Sequence, residues 1–192
     1  MKRIVLLFCL VAALALCASA QVYINFANMP LAKTPTLMPD YYPPAMNMLW
    51  DNFYYVTPGL WSGEGVGFWV SPATQHSTVA FIGGPLCTLT VPCTGSIKES
   101  AIMIAPVKRT FTPVSISLSA GWASNTVRVT AYNNSTFVGT VTWTLTTKPQ
   151  TFSFPAAWNV TQLAFTPGFI DANTVNPKPG SMVIYSFVLL EH

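Results

Sequence analysis

Val127-Arg128-Val129-Thr130-Ala131-Tyr132, followed by Asn133-Asn134 and then the run from Thr136 to Thr146, decides how this chain is read. Side chains of an extended strand alternate between two faces, so Val127, Val129 and Ala131 share one face and Arg128, Thr130 and Tyr132 share the other. One apolar row and one polar row describe an antiparallel hairpin that covers a core on one side and meets water on the other. Asn133-Asn134 is a turn sequence, because asparagine tolerates the positive φ that a tight hairpin connection requires. Working outward, short β-branched and aromatic runs separated by Pro, Gly and Asn predict strands at Val22 to Phe26, Met48 to Tyr55, Gly67 to Val70, Val79 to Ile82 and Ala101 to Ile104. The same pattern continues at Val114 to Ala120, Asn125 to Tyr132, Phe137 to Thr146, Gln150 to Phe154, Gln162 to Thr166 and Met182 to Leu190. Helical periodicity is nearly absent. Many short strands at near-regular spacing predict an all-β fold, a two-sheet antiparallel β-sandwich of the jelly-roll kind.

The start of the chain reads differently. Lys2 and Arg3 precede an apolar run from Ile4 to Leu16, and Ala18-Ser19-Ala20 has the small-x-small character that a signal peptidase accepts. Residues 1–20 are therefore expected to be a cleaved signal peptide, with the mature chain, residues 21–192, beginning at Gln21 and forming one secreted, extracellular domain. The apolar run is shorter than the roughly 20 residues that span a bilayer. Every later apolar run is soon broken by Pro, Gly, Asn, Thr or a charge, so no membrane span is expected in the mature chain. Charged residues make up only 8% of the sequence. With Lys2 and Arg3 removed, seven basic residues face six acidic ones, a net charge near +1. That balance leaves no basic stripe for nucleic acid.

Cysteine usage agrees with export. Cys9 and Cys17 leave with the signal, and Cys87 and Cys93 remain, expected to form a disulfide across a short loop in an oxidising compartment and to contribute about 2 kcal/mol. Sequons at Asn133 and Asn134 overlap, and a third stands at Asn159, so a eukaryotic secretory route would make this a glycoprotein. Residues 29–44 carry Pro30, Pro35, Pro39, Pro43 and Pro44 and read as an extended loop packed on the domain. Beyond it the chain is unusually aromatic.

These features lie alongside a resemblance. Ile24-Asn25-Phe26, the block Leu49-Trp50-Asp51-Asn52-Phe53, the run Phe111 to Leu118 followed by Trp122, the Val127 to Tyr132 strand and the closing strand from Ser181 to Leu190 resemble the galactose-binding-like jelly-roll domains of secreted proteins, carbohydrate-binding modules among them. The resemblance implies a sandwich fold more than a function. Such domains often hold a structural calcium through acidic residues near the first strand and in the last, where this chain has Asn25-Phe26 and Tyr185-Ser186-Phe187. With so few carboxylates, no dedicated metal site and no cofactor are expected.

Catalysis finds little support in the residue inventory. The mature acids are Asp40, Asp51, Glu64, Glu99, Asp171 and Glu191, none paired in sequence as a glycosidase strand would pair them. His76 beside Ser77 is weak grounds for a triad, and Trp61-Ser62-Gly63-Glu64-Gly65 lacks the first glycine of a nucleophile elbow. Binding is the better expectation, because neutral sugars stack their C–H faces on flat aromatic rings while amides and carboxylates hold the hydroxyls. Trp50, Tyr54, Trp61 and Trp69 are the candidate platforms, with Asp51 and Asn52 as hydrogen-bonding partners. The leading expectation is a secreted, non-catalytic protein that binds polysaccharide or forms part of a cell wall or matrix. A structural or adhesive protein contacting other proteins comes second, and a small secreted hydrolase third. The export reading makes one direct prediction: N-terminal sequencing of the secreted chain starts at Gln21, and a start anywhere else contradicts the assigned cleavage.

Overall fold

The computed structural model describes residues 20–34, 36–57, 78–82, 101–121, 124–167 and 182–192. Among them the chain forms strands and no helix: β1 (Ala20–Asn25), β2 (Thr36–Leu37), β3 (Leu49–Asp51), β4 (Tyr54–Val56), β5 (Val79–Ile82), β6 (Ala101–Ile104), β7 (Phe111–Ala120), β8 (Asn125–Asn133), β9 (Thr136–Leu145), β10 (Gln150–Ser153), β11 (Gln162–Pro167) and β12 (Met182–Glu191). They build two antiparallel sheets in a β-sandwich. Sheet A runs β10-β7-β12-β5-β4-β2, with β1 also paired to β12, and sheet B runs β3-β6-β11-β8-β9.

The run from Val127 to Thr146 holds the hairpin β8–β9. Asn134 and Ser135 form its two-residue tip with φ of 46° and 71°, the double positive φ of a type I′ turn, whose twist matches that of the strands it joins. Register then sends Val127, Val129 and Ala131, paired with Trp143, Val141 and Gly139, toward the core, where all three β8 side chains are fully buried. A bulge between Ala131 and Tyr132 lets Tyr132 pair with Phe137.

The inner faces are joined by aromatic contacts. Trp143 of β9 stacks on Phe152 of β10 at 4.9 Å and meets Phe154 edge-on at 5.0 Å, which links the sheets at one end. Phe53, in the connection from β3 to β4, meets Phe165 of β11 at 5.9 Å and Trp50 at 4.9 Å, both edge-to-face, so the crossing between the sheets packs on sheet B. Such pairs add about 0.5–1.5 kcal/mol each to the apolar area they bury. A smaller apolar cluster of Val56, Val79, Phe81 and Val183 lies on the opposite face of sheet A, with Tyr54 and Tyr185 packed on it.

One expected strand divides. The run Met48 to Tyr55 is two short strands in different sheets: β3 pairs with β6 in sheet B, and β4 pairs with β5 in sheet A. Asn52, at φ 66°, turns the chain between them, a conformation asparagine adopts more readily than most residues. Trp50 and Tyr54 therefore do not share a face. The expected strand Gly67 to Val70 lies outside the described residues, as do residues 1–19.

Within residues 29–44, Met29, Ala32 and Met38 are buried, and Met46 just beyond it anchors the same core. Tyr42, joined to Pro43 by a cis peptide, donates its hydroxyl to the Asn25 carbonyl and accepts from the Trp50 indole N–H at its own carbonyl. Burial holds the Tyr42 phenol above its ordinary pKa.

Two substitutions test this packing. Trp50→Ala removes a ring only 2% exposed and is expected to cost about 3–5 kcal/mol in urea unfolding. Gly139→Ala places a Cβ 3.0 Å from Trp158 Nε1 and is expected to cost about 1 kcal/mol; an unchanged midpoint for either contradicts the packing described.

Candidate functional site

The outer face of sheet B is set by the same alternation that fills the core. Because Trp50, Met103, Leu163, Val129 and Val141 point inward or half inward, their neighbours point out. Strand pairing aligns those neighbours into rows across the sheet. One row is Leu49, Ile104, Gln162, Tyr132 and Phe137; the next is Asp51, Ile102, Ala164, Thr130 and Thr140. Thr166, Arg128 and Thr142 form a third, and Thr126 with Thr144 a fourth. Five strands at the usual interstrand spacing make this surface about 19 Å wide.

Its chemistry is graded from end to end. Phe137 is 61% exposed, and its ring meets that of half-buried Tyr132 at 6.3 Å and 73°. The amide of Gln162 lies beside Tyr132 in the same row. The Thr140 hydroxyl donates to that of Thr130 at 3.3 Å in the row below. Asp51 and Arg128, both exposed, bring one carboxylate and one guanidinium, toward opposite edges of the face. Rings next to amides and hydroxyls, with the two charges opposite in sign, suit a neutral, hydroxyl-rich ligand more than an ion.

The residues singled out from sequence scatter. Asp51 is exposed and on this face, in the second row. Trp50, next to it in β3, is buried against Phe26 and Phe53, so the core takes the ring that was expected to serve as a platform. Asn52 is half-buried at the turn between the sheets. Tyr54 lies on the far side of sheet A, tilted against Phe81 at 5.8 Å. Trp61, Trp69, Cys87 and Cys93 lie outside the described residues. Asn134 and Asn159 are exposed, and Asn133 is half-buried.

The sequence reading placed Tyr132 on the wet face but did not weigh it as a ligand contact. Phe137 was missed because simple alternation without the bulge does not pair it with Tyr132. Gln162 and Thr140 carry no signal by themselves; pairing brings them together.

Among the described residues no three His, Cys, Asp or Glu side chains come together as a metal site. The Arg109 guanidinium and the Glu191 carboxylate form an ion pair at the end of β12, away from this face. Tyr185, hydrogen-bonded to Ser119 at 2.8 Å, has its phenol pKa raised by burial, which that bond partly offsets. No helix among the described residues is long and apolar enough to cross a membrane.

The sequence matches no protein-family model and no curated protein. By structure, the chain is similar to a DUF4465 family protein from Bacteroides ovatus, with a TM-score of 0.54 and 9% identity over 91% of this chain and 99% of that one. A solved structure described as the apo form of BiXyn10A CBM1 aligns over 90% of this chain and 99% of its own, at 8% identity. Its TM-score of 0.39 is too low to carry an argument. The first likeness speaks to fold alone.

Because Tyr132 and Phe137 stand outside the core, Tyr132→Ala and Phe137→Ala are each expected to cost less than about 1 kcal/mol in urea unfolding. A loss comparable to that of Trp50→Ala contradicts their assignment to a solvent-facing surface.

Proposed function

We propose that this is a secreted, non-catalytic protein of jelly-roll type that binds polysaccharide through the outer face of sheet B, as part of a cell wall or extracellular matrix. The observation that carries the reading is the pairing of exposed Phe137 with half-buried Tyr132, set in one row with Gln162 and above the Thr130–Thr140 hydroxyl pair. Solvent-facing rings supply the apolar surface against which a pyranose stacks, and the flanking amide and hydroxyls fix its orientation. Low charge fits a neutral ligand. Trp61 and Trp69 remain candidates for an additional platform.

A second reading has its own observation. Tyr23, Leu31, Leu37 and Tyr41 are large, exposed and apolar, and all fall in the first strand or the Pro-rich segment after it. Protein contacts of a structural or adhesive kind would use that edge.

Depletion of the purified protein by insoluble cellulose, chitin and β-glucans, with soluble sugar assayed in parallel, separates these readings. Depletion without sugar release is expected, weakened about threefold to tenfold by Phe137→Ala or Tyr132→Ala. Equal weakening by Trp61→Ala would add that ring to the site. Release of sugar overturns the non-catalytic reading, and no depletion by any polymer moves the function to protein contacts.

A further inference from the structure

The tip of the β8–β9 hairpin carries two overlapping sequons, and the fold makes their asparagines unlike. Asn133 is half-buried, and its Nδ2, the atom to which a glycan attaches, donates to the Asn159 carbonyl at 3.2 Å. Asn134 is exposed at the apex. Among the described contacts only its backbone is engaged: its N–H donates to Thr161 Oγ1 at 2.9 Å, and that hydroxyl donates on to the Tyr132 carbonyl at 3.4 Å. The tip is thus tied to the residues just before β11, while the Asn134 side chain has no such tie among the described contacts.

The surface near Asn134 is also unusual. Tyr132 precedes it by only two residues, so the two Cα atoms lie within about 7 Å of each other whatever the turn between them. Phe137, on the opposing strand, is paired with Tyr132 and is among the most exposed large apolar side chains described. A pyranose on Asn134 Nδ2 has an aromatic pair within its length, and such a ring covers apolar surface that otherwise faces water.

We propose that Asn134 carries an N-linked glycan whose first N-acetylglucosamine packs on the Tyr132–Phe137 pair. The co-substrate is the lipid-linked oligosaccharide of a eukaryotic secretory route. The Asn134 amide nitrogen forms a bond to C1 of its first sugar as the C1–O bond to the lipid diphosphate breaks, and the amide gives up one proton. The inference rests on the secretory reading proposed above and uses the same two rings. Bound in cis, the sugar clamps the hairpin and competes with a free glycan at the aromatic end of the face.

The test uses the full chain with Asn159→Gln, secreted from a eukaryotic host that makes high-mannose glycans. Peptide mapping is expected to place the glycan on Asn134. Three forms are then compared: intact, trimmed by an endoglycosidase to the single first sugar, and stripped by an amidase that leaves Asp at the site. The first two are expected to melt together, about 2–4 °C above the third. That gap is expected to vanish in the double variant Tyr132→Thr, Phe137→Thr. A glycan on Asn133, no glycan on Asn134, no gap, or a gap that survives the double variant overturns the proposal. Polysaccharide depletion read on the same samples keeps the two readings apart. Stronger depletion by the stripped form supports the competition, and equal depletion by all forms removes it. No depletion by any form defeats the polysaccharide reading and leaves the melting gap to decide this one.

Discussion

The two inner apolar faces must bury each other, and almost everything else about the molecule follows from that constraint. With only 8% of residues charged, there is little electrostatic help, and the described core is dominated by aliphatic, aromatic and methionine side chains. The aromatic bridge from Trp143 to Phe152 and Phe154 joins the two sheets, and Phe53, in the connection that crosses from one to the other, packs on Phe165. Because side chains alternate with a period of two, fixing which residues enter the core also fixes which remain outside. A slip of one residue in β8 would expose Val127, Val129 and Ala131 and bury Arg128. The polar face of sheet B is therefore a consequence of core packing, and its rows are as well defined as the core beneath them.

Much of the fold was legible for this reason. Val79–Ile82 and Ala101–Ile104 form strands over the expected residues, and β8–β9 forms the expected hairpin with its turn one residue along. The division of Met48 to Tyr55 was not legible, because a period of two looks the same on either side of a single left-handed residue. Asn52 moves the chain from one sheet to the other and shifts the alternation by one residue, so that Phe53 and Tyr55 follow Trp50 into the core. That one conformation separates Trp50, in the core, from Tyr54, on the far side of sheet A.

The candidate site was legible only in part, and for a different reason. Ring size drew attention to tryptophans, yet large rings are the residues a small sandwich most needs inside, and Trp50 went there. Tyr132 was correctly assigned to the wet face by alternation. Its partnership with Phe137 depends on a bulge, and its neighbours Gln162, Thr130 and Thr140 come from three strands whose pairing order local sequence does not encode. Structural likeness to the DUF4465 family protein speaks to the architecture; what the surface recognises has to be argued from its own side chains.

The most direct measurement is a backbone amide chemical-shift titration of the isotopically labelled protein with soluble oligosaccharides derived from cellulose, chitin and β-glucan. A face built as described predicts that the perturbed amides cluster at Thr130, Tyr132, Phe137, Thr140 and Gln162, while those around buried Trp50 stay still. Perturbations centred on another surface, or none with any oligosaccharide, would contradict the claim that the outer face of sheet B is where this protein meets its ligand.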